Sequence, residues 1–455
     1  MHPSLDLLEK YNVPVPRYTS YPTVPFWDEH IAVNEWQQVL QQQFTACNST
    51  TGISLYLHLP FCEKLCTYCG CNKKITNNHS VEEEYMQAIL KEWQLYLQVF
   101  KHKPVIRELH IGGGTPTFFS PENLGRLLDG IFAQATIHPL HEFSFEGHPN
   151  NTTLQHLQTL YNKGFRRVSF GVQDHDARVQ QVINRIQPFE NVARATAMAR
   201  AVGYTSVNFD LIYGLPLQTT ESMATTIAQT LTLQPDRIAF YSYAHVPWTS
   251  RGQRLFDEHD LPSTSVKMQL YQMGKTLFTA HGYNDIGMDH FALPGDDLFI
   301  ARNQGRLHRN FMGYTTQHTG LLLGLGVSSI SDAGIAFAQN EKKLQDYYTA
   351  IDHNRLPVVK GYFLTEEDVV FRKQILDISC NSTTILPHDY LGLLRDWVIP
   401  ALLPLEKDGL IVLADDALTV TKMGENFIRN ICSAFDLHLQ RKTGVTNTNQ
   451  YSKAI

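Results

Sequence analysis

From about residue 53 to 290, short β-like runs alternate with helical patterns, and this alternation restricts the chain to few folds. The runs are ISLYLHL, VIRELHIGG, EFSFEG, RRVSFGV, SVNFDLIYG and RIAFYSYA. Intervening stretches such as VEEEYMQAILKEWQLYLQ and NVARATAMARAVG space their apolar residues by three and four, as helices with one buried face do. YNKGF and RAVGY place glycine where such helices end, because a left-handed C-cap costs glycine nothing. Strands alternating with helices predict parallel pairing through right-handed crossovers. About six β/α units are countable, too few for a closed eight-strand barrel. The expected fold is α/β: an open partial (β/α)6 barrel of parallel strands, with a doubly wound sheet as the alternative.

The flanks read differently. A chain of 455 residues suggests about two or three domains. Residues 1–50 form an N-terminal arm. Its VPVPRYTSYPTVPFW cannot be a regular helix, because Pro14, Pro16, Pro22 and Pro25 interrupt it. Its aromatic density predicts packing, either as a wrap over a domain surface or as a flap on a ligand. NEWQQVLQQQF after it reads as a helix. Residues 51–365 make the main β/α domain, becoming irregular after about 290, with GRLHRNFMGYTTQ loop-like and GLLLGLGVSSIS glycine-rich. Residues 366–455 are a smaller, mostly helical, winged-helix-like domain. There LEKDGLIVLADDALTVTKMGENFIRNIC reads as helix, two short strands turning at Asp415–Asp416, and helix. With no basic face, this order suggests a structural or lid role rather than DNA reading. The polar end, TGVTNTNQYSKA, is expected to fray.

Charge narrows the function classes. Lys plus Arg total 38 against 44 Asp plus Glu, a net charge of -6. That gives no support to nucleic-acid binding, though a locally basic pocket remains open. No apolar run is long enough to cross a bilayer, and the first residues lack the basic and apolar regions of a signal peptide. A cytoplasmic location, with no membrane partner, follows as the expectation. The seven cysteines are an odd number, which argues against a disulfide framework. Cys47, Cys380 and Cys432 are scattered in apolar surroundings and read as buried thiols.

The other four lie in PFCEKLCTYCGC, with spacing CxxxCxxCxC, just after the first predicted strand. In parallel β/α folds, sites are built at the C-terminal ends of strands. Three thiolates on so short a loop can hold three corners of a 4Fe–4S cluster. If Cys62, Cys66 and Cys69 do so, the fourth iron is open to a small molecule. Cys71 is an awkward fourth ligand, one residue beyond Cys69. Zinc is the alternative, but zinc favours paired elements from two places, and no second pair exists.

CxxxCxxC on the loop after a first strand resembles the radical S-adenosylmethionine (SAM) superfamily. Further stretches carry a more specific likeness: PRYTSYPT, YLHLPFC, CGCNK, GGGTPT, GVQ, NFDLIYGLP, YAHVP, GMDHFA, HRNFMGYTT and IRNIC. Together, over about residues 10–440, they resemble the oxygen-independent coproporphyrinogen III oxidases. The resemblance implies a 4Fe–4S cluster on Cys62, Cys66 and Cys69 and two SAM molecules. It places Tyr56, Tyr68, Gly113, Gly114, Thr115, Glu146, Gln173, Arg185, Asp210, Ala244 and Ile330 against them. Tyr68 departs from the Phe often found at its position, and His148 from the more usual Asp.

Residue chemistry supports part of that set. A glycine run at a strand end lets a ligand approach the backbone. Glu146 closes the FSFEG run. Asp210, within VNFDLIYG, needs a partner if buried; Arg185 is one candidate, or both hold a polar ligand. The implied reaction converts coproporphyrinogen III to protoporphyrinogen IX by oxidative decarboxylation, initiated by a 5′-deoxyadenosyl radical. A one-electron donor such as flavodoxin or ferredoxin and a monomeric enzyme are further expectations. The substrate carries four propionates, so Arg17, Arg302, Arg306 and Arg309 are candidate carboxylate ligands. A radical-SAM-like haem chaperone is the rival reading; it typically lacks the CxC cysteine and the PRYTSYPT extension, both present here.

Overall fold

The structure, a computed structural model, describes residues 4–248, 250–442 and 451–454. Its centre is one sheet holding all six sequence-derived strands: β1 (Ile53–Leu59), β2 (Val105–Gly113), β3 (Thr136–Gly147), β4 (Phe165–Gln173), β5 (Ser206–Tyr213) and β6 (Arg237–Ser242). They lie side by side in chain order and every neighbouring pair is parallel. Ile53, Leu55, Leu57 and Leu59 of β1 are fully buried, as are Ser54 and His58 on its other face. Burial on both faces is what a parallel sheet between helical layers requires.

The sheet extends beyond the β/α units at both edges. β7 (Asn284–Gly287) and β8 (His290–Ala292) add antiparallel to β6. At the other edge β9 (Leu322–Leu325) pairs parallel with β1, and β10 (Ile330–Asp332), β11 (Ala336–Asn340) and β12 (Val358–Phe363) follow antiparallel. The result is a 12-stranded sheet, open rather than closed into a barrel. The region read as irregular after residue 290 thus supplies an edge. Its strands are only three to six residues long and partly glycine, too short to show a period.

The helices follow their sequence patterns. α1 (Val33–Cys47), α2 (Val81–Phe100) and α3 (Pro121–Phe132) cover the sheet. α3 buries Leu124, Leu127, Leu128 and Ile131, a stripe at helical spacing, and starts on a Ser120 cap that accepts from Asn123 N–H. The helix Phe189–Val202 ends at Gly203, whose φ is 112°. On α2, the buried Glu92 carboxylate accepts from Gly326 N–H, Asn340 Nδ2 and Tyr347 Oη at 2.8, 2.6 and 2.7 Å. It pins the glycine-rich turn after β9 to the helical layer. Nearby Tyr85 Oη donates to the His58 carbonyl and accepts from Val327 N–H, tying that turn to the end of β1.

In the C-terminal region, β14 (Ile411–Ala414) and β15 (Ala417–Val420) form the expected hairpin around Asp415–Asp416. β13 (Thr383–Ile385), absent from the sequence reading, pairs with β15. The N-terminal arm is buried between this region and the sheet. Trp27 stacks on Phe337 at 5.1 Å. Tyr18 Oη donates to Asp436, and Tyr21 Oη accepts from Leu437 N–H. The chain end corrects the expectation of fraying: Tyr451–Ala454 run beside the arm, with Ala454 N–H donating to the Val13 carbonyl and Val15 N–H to that of Ser452. Arg429 clamps both strands, donating to the carbonyls of Val15, Pro16, Ser452, Lys453 and Ala454. One guanidinium thereby replaces a sheet neighbour for two short extended segments. Residues 443–450 of the same polar stretch lie outside the described residues.

Two outcomes are expected. Glu92→Ala removes an acceptor from Gly326 N–H, Tyr347 Oη and Asn340 Nδ2, of which Asn340 keeps Gly326 O and Ser329 Oγ, and should cost about 2–4 kcal/mol at pH 6, read from the denaturant midpoint. Burial pushes the Glu92 carboxyl from 4.5 up to about 7. Between those values the native state keeps a proton that the unfolded chain has lost, so this group's contribution to stability falls as pH rises. Glu92→Gln should flatten that part of the stability–pH profile; an unaltered slope would contradict the assignment. Arg429→Ala should free the arm, read as faster proteolytic nicking near residues 13–17.

Candidate active site

The six parallel strands all end at the same edge, and their ends surround one cavity of about 520 Å³. Every strand supplies lining residues from its last positions or from the loop just after it. After β1 come Cys62, Cys66, Tyr68, Cys69 and Cys71; after β2, Gly114 and Thr115; at the end of β3, Glu146. β4 supplies Gly171 and Gln173, β5 supplies Asp210 and Ile212, and β6 supplies Tyr241. Residues two apart share a strand face, which puts Asp210 and Ile212 on the same wall. The candidate substrate ligands Arg17, Arg302, Arg306 and Arg309 lie off this cavity, while all the residues expected to hold the cluster and SAM lie on it except Tyr56, Ala244 and Ile330.

Those three stand behind its wall. The Tyr56 ring stacks on His110 at 6.0 Å, and its Oη meets His58 Nδ1 at 3.0 Å. A side chain on Gly112 would strike both that ring and Glu146, so Tyr56 and Glu146 adjoin the same glycine. Ile330 reaches Tyr56 through Gly324, which is opposite Tyr56 in the β1–β9 register and has no room for a Cβ beside the Ile330 carbonyl. The Ala244 carbonyl accepts from Gln253 Nε2, which also donates to the Tyr68 carbonyl.

The cysteine loop is held at several points. Phe61–Cys62 pair in parallel with Lys74–Ile75, closing the loop at its base. Cys69 N–H donates to the Cys66 carbonyl, Thr67 N–H to that of Ile183, and Lys73 Nζ to those of Cys69 and Cys71. Cys62 Sγ lies 3.3 Å from Thr115 Oγ1, and Arg185 Nη1 donates to Cys66 Sγ at 3.7 Å. Gly114 cannot be replaced: its Cβ would lie 2.5 Å from the Pro60 carbonyl and 3.0 Å from Cys62 Sγ. Gly113 has φ 118°, and its N–H donates to Glu146 at 3.2 Å. A hydrogen bond from Cys71, and then the Lys73 and Arg185 charges, bring Cys69 down to about 6, while burial lifts Cys62 to about 11.

These donors fit an iron–sulfur cluster. Among the described residues, no three His, Cys, Asp or Glu side chains gather around one point as a single metal ion requires. A cluster instead spreads its thiolates over separate irons, and three thiols on one loop facing one cavity supply that set. Beside them the acidic groups sit apart. Glu146 Oε1 lies 3.5 Å from His110 Nε2, and His110 Nδ1 lies 2.8 Å from Ser144 Oγ. Burial, then the nearby Glu146 charge, raises Asp210 to about 6.

Asp210 does not take Arg185 as a hydrogen-bond partner. It accepts from Ser169 Oγ at 3.0 Å and Asn208 Nδ2 at 2.8 Å. Arg185 instead donates to the Gly171 carbonyl at 2.5 Å, with its buried Nε left without a partner. Of the four arginines expected near a carboxylated substrate, Arg302 is tied to the Asp285 carbonyl and faces Glu425, and Arg306 is spent on Gln304. Arg17 and Arg309 come together, through Arg309 Nη2 and the Arg17 carbonyl. Sequence reasoning gave no role to His148, Lys73 or Tyr241, all on the cavity wall. Tyr241 was findable, since it ends a predicted strand at the edge where sites form.

Comparison with known proteins agrees with this architecture. Residues 56–229 match the Radical SAM superfamily. The chain is 38% identical to the oxygen-independent coproporphyrinogen III oxidase of Escherichia coli (strain K12), over 99% of this chain and 98% of that protein. It is 37% identical to that of Helicobacter pylori (strain ATCC 700392 / 26695), over 95% and 96% of the two chains. The solved structure of coproporphyrinogen III oxidase from Escherichia coli, described as a radical SAM enzyme, superposes with a TM-score of 0.86 over 93% of this chain and 97% of that one, at 38% identity. With cysteine loop, strand order and nearly the whole length in agreement, the chain belongs to the oxygen-independent coproporphyrinogen III oxidases of the radical SAM superfamily.

Proposed function

We propose that this enzyme decarboxylates two propionate side chains of coproporphyrinogen III to vinyl groups, giving protoporphyrinogen IX without oxygen. The observation that carries the reading is the single cavity at the parallel strand ends, where three thiols meet a carboxylate, an arginine and a glycine-lined strand end. Cys62, Cys66 and Cys69 would hold a 4Fe–4S cluster. Glu146, Gly113 and Thr115 on one side, and Gln173, Arg185 and Asp210 on the other, offer two separate polar sets. We read these groups as holding two SAM molecules, with Tyr56, Tyr68, Ala244 and Ile330 completing the packing. Bound there, the cluster and SAM would supply reductive sulfonium cleavage and with it the radical chemistry that removes a hydrogen atom from the carbon β to a propionate carboxylate, so that loss of carbon dioxide and one electron would leave a vinyl group.

The chain's own part is positioning and exclusion. Thr115 and Arg185 contact the Cys62 and Cys66 sulfurs and fix where they stand. His110, set by Ser144, orients the Glu146 carboxylate toward the Gly113 backbone. A site closed around bound substrate would keep water and other stray hydrogen donors from a radical. Hydrogen-atom abstraction needs no general base. A flavodoxin- or ferredoxin-like protein as donor, a monomeric state and a cytoplasmic setting complete the reading. No helix among the described residues is long and apolar enough to cross a membrane.

Anaerobically reconstituted protein given SAM, reductant and coproporphyrinogen III should yield protoporphyrinogen and 5′-deoxyadenosine together. Deoxyadenosine without decarboxylation would refute the substrate. Haem binding with no turnover would favour a chaperone. Cys66→Ser should lose cluster iron and activity together, while Cys71→Ser should keep its iron.

A further inference from the structure

Beyond Tyr241, on the side away from the cysteine loop, lies a second polar constellation. His290 packs edge-on to Tyr241 at 5.7 Å and to Tyr314 at 5.3 Å. A guanidinium sits at each end of this aromatic wall: Arg17 lies 5.9 Å from the Tyr241 ring centre, and Arg309 lies 4.8 Å from that of Tyr314. The two are linked, since Arg309 Nη2 donates to the Arg17 carbonyl at 3.3 Å. Arg309 is only 7% exposed, yet its Nε has no partner, and neither has His290 Nδ1.

The charges here do not balance. Asp289 faces Arg17 at 3.7 Å, and Arg17 also donates to the Ser242 carbonyl. Arg429 adds positive charge on the same side, while burial, then the Arg17 and Arg429 charges, bring Lys267, which donates to the Tyr243 carbonyl, down to about 7. Burial, then the charges of Arg309, Arg237 and Arg17, hold His290 down to about 3. A buried guanidinium with an unmet N–H is costly unless an anion accepts from it. Tyr241 belongs to both places: it lines the cofactor cavity and carries Arg17 over its ring.

We propose that Arg17 and Arg309 form a carboxylate-binding subsite that holds a propionate of the tetrapyrrole while another propionate reaches the cofactor cavity. The proposal rests on the functional reading above. It gives the N-terminal arm a role in substrate recognition, because Arg17 comes from its PRYTSYPT segment.

The test uses coproporphyrin III, the oxidised macrocycle with the same propionates, and its tetramethyl ester, which has no carboxylates. Both are titrated by fluorescence against anaerobically prepared holoenzyme. Arg309→Gln should weaken coproporphyrin III binding about ten- to hundred-fold, as expected for one charge-assisted hydrogen bond, and leave ester binding unchanged. Arg309→Lys should recover part of the loss, and Arg302→Gln should cause none. Wild-type affinity in a folded Arg309→Gln variant, or an equal loss for the ester, overturns the subsite. If Arg309→Gln does not fold, Arg17→Gln, at a partly exposed position, is held to the same two criteria. Wild-type protein that never turns over coproporphyrinogen III overturns the functional reading instead.

Discussion

Everything in this molecule depends on six strands running the same way. A parallel sheet must bury both faces and return its chain over helices, so all its C-terminal ends fall on one edge. That edge is where Cys62, Thr115, Glu146, Gln173, Asp210 and Tyr241 meet, although more than 170 residues separate the first from the last. No single loop builds the site. The register of adjacent strands does, placing Glu146 opposite Ser169 and Gly171 opposite Asp210.

Such an arrangement leaves polar groups inside the protein, and the surrounding structure answers them one by one. Glu92 takes three donors from two distant segments. Arg237 and Asp296, almost wholly buried, pair at 2.6 Å. Arg429 satisfies five carbonyls of the arm and tail. Arg309 and His290 keep unmet atoms, and Arg185 an unmet Nε, beside the cavity or its neighbouring wall. Other buried polar atoms also lack a partner, Arg237 Nη2 and both His175 ring nitrogens among them, but those of Arg185, Arg309 and His290 stand where a ligand that accepts or donates would complete them.

Legibility varied with the length of the local pattern. The six parallel strands were readable because each is six to twelve residues long and bounded by helices with glycine stops. The edge strands β9 to β11 escaped because three to five residues carry no period. The tail was misjudged for a different reason. Polar composition predicts fraying, but Tyr451–Ala454 are fixed through backbone hydrogen bonds to the arm and to Arg429, and backbone bonds leave no trace in side-chain chemistry.

The same distinction divides the site. Three cysteines spaced for a cluster, a glycine run that admits a ligand, and the strand–helix order were determined by the sequence alone, because spacing along a loop and period along an element are local properties. Which of the arginines turn inward was decided only in three dimensions. Arg302, Arg306 and Arg309 lie within eight residues of one another, yet only Arg309 is turned inward, stacked on Tyr314 and bonded to the backbone of an arm almost 300 residues away. Its neighbours found partners close to home. An ion's partner is set by what packs beside it, and packing joins residues that the chain keeps far apart.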